Sequence, residues 1–170
     1  MKTLLKAILF CAICFTFSIK TNAQDLLQTF KNQPHVETVA VNKKMFQMMS
    51  NVKIDQNDKE NQAYLNLIKK LDDLKMVSTK NSAAANKMNT FVVAYVNANT
   101  LKELMQLSEN GSTTIFYVDA NSNKENIKEL MMFVNVKEVA ILSLKGNFSL
   151  NEVSVLTSKM KLPIGNSLKQ

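Results

Sequence analysis

The sequence predicts an α+β domain in which helices pack on a mostly antiparallel sheet. Short runs with apolar residues on both faces, TTIFYV and VAILSL, are typical of central strands. Longer segments with apolar residues three or four positions apart predict amphipathic helices. The segment Leu101–Asn121 aligns without a gap with Ile127–Asn147, and both contain KELM. We therefore predict that the C-terminal half is a duplicated unit, each copy passing from a helix end at KELM into a β-hairpin.

A secretory signal peptide is predicted at the N-terminus. Residues 1–23 combine a basic start, a short apolar run and small residues before a cut after Ala23. The apolar run is too short for a comfortable membrane span. Neither Cys11 nor Cys14 follows the small residue that lipidation requires, so we do not expect a lipoprotein. The expected mature chain is one α+β domain at residues 24–170, periplasmic or secreted, with no transmembrane segment.

Cleavage would change the composition of the chain. Both cysteines leave with the signal peptide, so the mature chain would have neither disulfides nor thiolate sites. Its formal charge would fall from +7 to +4 on loss of Lys2, Lys6 and Lys20. All of the positive charge is lysine, which lacks the planar fork that grips phosphate in a bidentate way. We therefore expect no nucleic-acid partner.

The N-terminal half is predicted to alternate between helices and strands, with Pro34 ending the first helix. Apolar spacing and polar runs set the boundaries. In chain order the predicted elements are a helix at Gln24–Asn32, a strand at VETVAV, a helix at NKKMFQMM, a loop at KIDQNDKEN, a helix from Asp58 to about Leu74, a strand at KMVST and a helix from about Ser82 to Asn97.

The C-terminal half contains turn and cap signals. Asn110 and Gly111 are typical of a hairpin turn. Capping-box spacing at SNKE, beginning at Ser122, and at SLNE, beginning at Ser149, predicts a helix start after each repeat. We expect a loose tail from about residue 161.

The segment DANSNKEN resembles part of a calcium-binding loop. It places Asp119, Asn121 and Asn123 at the first, third and fifth positions, but Lys124 replaces the required glycine and Leu130 the bidentate glutamate. We therefore reject this calcium site and predict a turn.

A methionine group is the weak candidate for a metal site. Met45, Met48 and Met49 fall on one helical face, and thioethers suit Cu(I). No His or Cys lies beside them, and such a face is usually core, so we predict that these residues pack inside the domain. We predict no metal or cofactor.

Other isolated groups give no sign of catalysis. His35 follows Pro34 and is predicted to lie exposed in a turn. Glu103 and Glu129, the glutamates of the two KELM repeats, are predicted to face water at helix ends. The three glycines of the mature chain lie far apart, which excludes a phosphate-cradling loop and a nucleophile elbow. The sequence therefore predicts a protein that is not an enzyme.

The order of VETVAVNKKMFQMM, KELM and VAILSLKGNFSLNEVSVL resembles an exported Bacteroidetes family, domain of unknown function 4252. The resemblance implies a signal peptide or a lipobox before a strand–helix opening. It also implies a late strand ending in a turn at Lys145-Gly146 and a final helix at Ser149–Met160. It brings no functional residues, and it suggests a role as an accessory partner in envelope stress signalling as one alternative.

The sequence favours a non-catalytic envelope binding or interaction module. Its partner is expected to be an unidentified envelope protein or a second copy of the chain. The alternative is a carrier of a soft metal or small ligand that uses the methionine group. Burial of the methionines would favour the module, and thioethers around an open pocket would favour the carrier.

Overall fold

The computed structural model describes residues 25–51, 58–109 and 111–153. The predicted signal peptide, most of the KIDQNDKEN loop, Asn110 of the predicted hairpin turn, the predicted final helix beyond residue 153 and the tail from residue 161 lie outside these ranges. The described elements are, in order, α1 (Leu26–Phe30), β1 (Glu37–Asn42), α2 (Lys43–Ser50), α3 (Lys59–Ile68), β2 (Leu71–Thr79), α4 (Ser82–Ala98), β3 (Leu101–Glu109), β4 (Ser112–Asp119), β5 (Ile127–Asn135) and β6 (Val139–Phe148).

The strands form one six-stranded sheet in the order β1-β2-β6-β5-β4-β3, and every neighbouring pair is antiparallel. This confirms the predicted α+β class with its mostly antiparallel sheet. The TTIFYV and VAILSL segments belong to β4 and β6, and each has a strand on both sides, as predicted. No described helix is long and apolar enough to cross a membrane.

Helices cover the sheet on both faces. On the first, which we call the α3 face, α2 and α3 bury Phe46, Leu67 and Ile68 against strand residues such as Leu74 and Leu144. On the second, which we call the α4 face, α1 and α4 bury residues of their own. These include Phe30, Met88 and Phe91, which pack on Val77 and Ile141 of the sheet. The apolar run of β6 is explained by this double coverage, because alternate residues enter different cores.

The predicted helix from Asp58 to Leu74 is too long, and a β-bulge explains the error. The helix ends at Ile68, and Leu71 begins β2. The register between β2 and β6 shifts between Leu71 and Asp73, which brings Leu71 and Leu74 to the same face. An interval of three residues on one face is also typical of a helix, so the bulge imitates the helical pattern.

The two KELM segments are strand residues, so the predicted helix-to-strand junctions are wrong. Each segment opens the first strand of an antiparallel hairpin, β3–β4 or β5–β6. In β5, the run Leu130–Val134 is buried at every position because the α3 and α4 faces take alternate side chains. In β3, an edge strand, most side chains are exposed.

Of the two predicted helix caps, one is confirmed and one is wrong. Residues 150–153 are helical. Glu152 N–H donates to Ser149 Oγ at 3.3 Å, and Ser149 N–H donates to Glu152 Oε2 at 2.9 Å. This is the reciprocal capping box. After Ser122 the chain forms turns and a short bridge between Asn123 and Asn126, without a helix.

Gly146 lies inside β6, so the predicted Lys145-Gly146 turn is wrong. It pairs with Leu71 where the register between β2 and β6 shifts. The backbone carbonyl of Lys70 approaches so closely that a Cβ at Gly146 would overlap it. The same carbonyl accepts the Asn147 N–H at 3.0 Å. A glycine is required here for the close approach of two backbones.

Candidate functional site

A buried polar cluster lies between α4 and the α4 face of the sheet. Glu129 of β5 is only 9% exposed. Its Oε1 atom accepts from Tyr95 Oη at 2.6 Å and from Ser143 Oγ at 3.3 Å, while Lys145 Nζ lies 3.3 Å from Oε2. The helix therefore brings the tyrosine to the carboxylate, and β6 brings the serine and the lysine.

The chemistry of this cluster suits structure better than catalysis. Burial, and then the hydrogen bond to Glu129, raise the pKa of the Tyr95 hydroxyl above its usual range. A tyrosine held protonated donates a stable hydrogen bond, but it is a poor base or nucleophile. Tyr95 also stacks on Phe91, with ring centroids 5.4 Å apart. The hydrogen bond from Tyr95 to Glu129 thus joins α4 to the sheet, while Ser143 and Lys145 contact the carboxylate from the neighbouring strand.

The prediction that both KELM glutamates face water is wrong for Glu129. Glu103 is exposed on the edge strand β3, as predicted, whereas Glu129 is buried in the central strand β5. The difference arises from strand position, since β3 has a single neighbour. The sequence signal for the cluster was weak, because Tyr95, Ser143 and Lys145 come from distant segments.

An apolar pocket of about 550 Å³ opens on the α3 face. Its floor consists of side chains from the three neighbouring strands β2, β6 and β5, and Ser112 of β4 lies at its side. The apolar lining residues are Met76, Met132, Val134, Val136, Ala140 and Leu142. The volume is within the range of small-molecule sites, which are concave and mostly apolar.

The pocket is placed by strand register. Met76 pairs with Leu142, and Leu142 pairs with Met132, so three apolar side chains form a row across the sheet. The row continues outward to Val39 of the edge strand β1, which is exposed. The turn between β5 and β6 supplies Val136, Lys137 and Glu138 at the rim.

The methionine group does not pack as predicted. Met45 and Met48 are 47% and 55% exposed, while Met49 packs partly buried against the core of the α3 face. The buried residue of α2 is Phe46, so the helix turns a neighbouring face inward. The burial prediction is therefore wrong for Met45 and Met48. None of the three lines the apolar pocket.

The rejected calcium loop is a turn that uses its own oxygens. Asp119 accepts hydrogen bonds from the Ser122 hydroxyl and from the Asn121 and Lys128 N–H groups. Burial acts to raise the pKa of its carboxyl, but these hydrogen bonds outweigh it and lower the pKa. Asn123 Oδ1 accepts from the Glu125 N–H at 3.0 Å. No group of three or more His, Cys, Asp or Glu side chains within the described residues is arranged to hold a metal.

His35 is exposed in a turn, as predicted. Its backbone has a positive φ of 61°, and its carbonyl accepts from Thr79 Oγ1 at 2.5 Å. It also lines a shallow polar cleft of about 480 Å³ together with Glu37, Lys80 and Glu138. The hydroxyl of Thr79, which also lines this cleft, is held by the His35 backbone carbonyl and not by the imidazole.

The comparisons with known proteins give the family and no more. The family model of the domain of unknown function DUF4252 matches residues 30–156, from the end of α1 through every strand of the sheet. No curated protein and no solved structure matches the chain. Because the match covers most of the chain and all of its sheet, the chain belongs to the DUF4252 family.

Proposed function

We propose that this protein is an exported, non-catalytic binding module of the cell envelope and that its binding site is the apolar pocket of the α3 face. The single observation that carries the proposal is the pocket itself. It combines a volume suited to a small ligand with a lining of six apolar side chains. Export rests on the signal-peptide pattern of residues 1–23.

The non-catalytic part of the proposal is supported by the state of the polar groups. In the described residues, no buried side-chain nitrogen or oxygen lacks a hydrogen-bond partner. The Tyr95–Glu129 cluster lies on the opposite face of the sheet from the pocket. Titratable groups with a catalytic role more often lie in a cleft, where they can still form hydrogen bonds to a substrate.

A neutral solvatochromic dye such as Nile red tests the pocket. We expect fluorescence enhancement on binding to the wild-type protein, and loss of most of this enhancement in Ala140→Phe, which fills the pocket from its floor. The matched control is Ala40→Phe, since Ala40 is exposed on β1 and points to the other face. Circular dichroism must show that each variant keeps its fold.

A second variant protects the test against misfolding. Val136 is 39% exposed at the rim, so Val136→Asn should fold normally and weaken dye binding by removing apolar surface. Equal dye binding by the wild type, Ala140→Phe and Val136→Asn would refute the pocket as the binding site.

The carrier of a soft metal is the second candidate, and the exposure of two thioethers is the observation that favours it. Inward packing of Met49 acts against it, because three sulfurs cannot then meet on the solvent side of α2. We expect a triple leucine variant to fold normally and Cu(I) binding to be undetectable before and after the change. Stoichiometric Cu(I) uptake that is lost in the variant would promote the carrier. The substituted residues are Met45, Met48 and Met49.

A duplicated origin of the two hairpins is a further part of the proposal. It is supported by the shared KELM and by β4 and β6, where Phe116 and Leu142, 26 positions apart, both enter the α3-face core. The first strands differ, because Met105 packs on the α3 face and Met131 on the α4 face. Superposition of the two hairpins in an experimental structure tests the idea. Poor agreement of β4 with β6 would refute it.

A further inference from the structure

The rim of the apolar pocket carries an exposed lysine. Lys137 lies in the turn between β5 and β6 and is exposed. It forms no ion pair with any other residue that the structure describes. The adjacent Glu138 also lines the pocket, but its Oε2 lies 3.7 Å from Lys80 Nζ, so its charge is partly compensated.

We infer that the pocket takes a free single-chain amphiphile, with its aliphatic tail along the apolar floor and an anionic head group beside Lys137. The inference rests on the proposed function, because it names the ligand class of the same pocket. The chemistry is that of a fatty-acid anion in monomeric form, separate from a lipid bilayer.

The floor of the pocket suits a long and narrow apolar group. Met76, Leu142 and Met132 lie side by side on adjacent strands. Neighbouring strands are about 5 Å apart, so the row measures about 10 Å from β2 to β5. Ser112 on β4 extends the lining by one further strand. Two of the three side chains are methionines, whose unbranched thioethers adapt to the shape of a bound chain.

The head group is assigned by charge. The Lys137 ammonium is a hydrated point charge, which suits a carboxylate at the wet rim. A hydroxyl at Ser112 adds a neutral donor to the pocket lining. A cationic head would be repelled by the same ammonium, so the pocket should distinguish amphiphiles of equal tail length by the sign of their charge.

Two other occupants fit this charge less well. The segment at residues 154–170 carries Lys159, Lys161 and Lys169 and no acidic side chain, so it would bring positive charge to Lys137. A second copy packed pocket to pocket by a two-fold axis would bring a second Lys137 into the same interface, with no anionic group added to offset it beyond a second Glu138. An anionic amphiphile meets the rim with opposite charge.

The test compares decanoate, decanol and decyltrimethylammonium by isothermal titration calorimetry with the full mature chain. We expect decanoate to bind more tightly than decyltrimethylammonium and Lys137→Glu to invert that order. Lys137→Ala should weaken decanoate about two- to fivefold, as for an exposed ion pair, and leave decanol unchanged. Lys102→Glu is the matched control, because Lys102 is exposed on β3 and does not line the pocket.

The outcomes separate the ligand class from the proposed function. If decanoate and decyltrimethylammonium bind equally and Lys137→Glu has no effect, the anionic head group is refuted, while dye binding at the pocket can still stand. If the amphiphiles and the dye all fail to bind, both proposals fall. A dimer in sedimentation that dissociates in Ala140→Phe would assign the pocket to a second copy. Binding only to anionic phospholipid vesicles would refute a free amphiphile.

Discussion

We predict that loss of the hydrogen bond between Tyr95 and Glu129 lowers the stability of the domain. The Tyr95 hydroxyl donates to Glu129 Oε1 at 2.6 Å in a buried setting, and it is the shortest of the contacts to this carboxylate. Tyr95→Phe removes the donor and keeps the ring, so the stacking on Phe91 at 5.4 Å should persist. The variant thus isolates one hydrogen bond between α4 and β5.

The magnitude follows from the charge of the acceptor. A hydrogen bond to a charged group contributes about 1.5–3 kcal/mol to stability. Glu129 keeps contacts to Ser143 and Lys145 in the variant, so it is not left without partners. We therefore expect the free energy of unfolding to fall by about 2 kcal/mol, which for a domain of this size lowers Tm by about 4–8 °C.

Urea denaturation at pH 7, followed by circular dichroism, measures this loss. Tyr117→Phe is the matched control, because Tyr117 is half-buried on the same face of the sheet and forms no hydrogen bond through its hydroxyl to another described residue. We expect that variant to change stability by less than about 0.5 kcal/mol. If the two variants lose the same free energy, the Tyr95–Glu129 contact does not hold α4 in place.

The pH dependence of stability gives a second test of the Tyr95–Glu129 hydrogen bond. Burial and Glu129 raise the pKa of Tyr95 in the folded protein, so the folded state keeps the proton at pH values where the unfolded chain loses it. The contribution is complete below the unfolded pKa of about 10 and falls as pH rises further. The stability difference between the wild type and Tyr95→Phe should therefore shrink above about pH 10.

Two further predictions concern single backbone and surface contacts. Gly146→Ala should lower the free energy of unfolding by more than about 3 kcal/mol, because its Cβ would overlap the Lys70 carbonyl. The control Gly111→Ala should cost about 1 kcal/mol, because Gly111 has a φ of 77° but open space around it. Equal losses of the two variants in urea denaturation would contradict the close approach at Gly146. The hydrogen bond from Lys75 lowers the pKa of the Asp25 carboxyl in the folded protein. The ion pair therefore stabilises the fold fully above the usual carboxyl pKa, and this contribution is lost as pH falls through the pKa of Asp25 in the folded protein. Asp25→Asn should thus cost about 0.5 kcal/mol at pH 7, since Asn keeps the helix cap and the pair is partly exposed. The loss should disappear in acid once the Asp25 carboxyl of the folded protein is protonated, and a loss independent of pH would count against the ion pair.

The parts of the fold that follow local patterns could be predicted from the sequence. The strand at VETVAV, the helix after it and the long helix from Ser82 lie where the apolar spacing placed them. The Ser149–Glu152 capping box is formed by four consecutive residues, so its geometry is local. Burial of β6 on both faces was readable from its uninterrupted apolar run.

The wrong helix predictions at Leu71–Leu74 and at KELM have a common physical cause in the sheet register. A bulge between Ile127 and Glu129 gives β5 the same three-residue interval that misled the prediction at Leu71 and Leu74. A chain that is buried on both faces also has no polar alternation to mark it as a strand. KELM therefore looked like a helix end in both copies.

The apolar pocket could not be predicted from local sequence patterns, for a different reason. Met76, Met132 and Ala140 belong to three strands, and only the pairing of β2 with β6 and of β6 with β5 brings them together. Sequence spacing carries no record of that pairing. The methionines of α2, which are close in sequence, attracted attention instead and lie outside the pocket.

The strand order has a consequence for the way the chain acquires its structure. The β3, β4, β5 and β6 strands are consecutive neighbours, so each of their pairings closes a short loop. The β2 strand must instead find β6, with Thr79 opposite Val139 and Leu71 opposite Gly146, at separations of 60 to 75 residues. Because distant contacts form slowly, the four-stranded meander should assemble first and the β1–β2 pair should dock later. Native-state hydrogen exchange would then show the amides of β5 as the last to open and those of β1 as the first. The pocket, which needs both parts, would exist only after the final docking step.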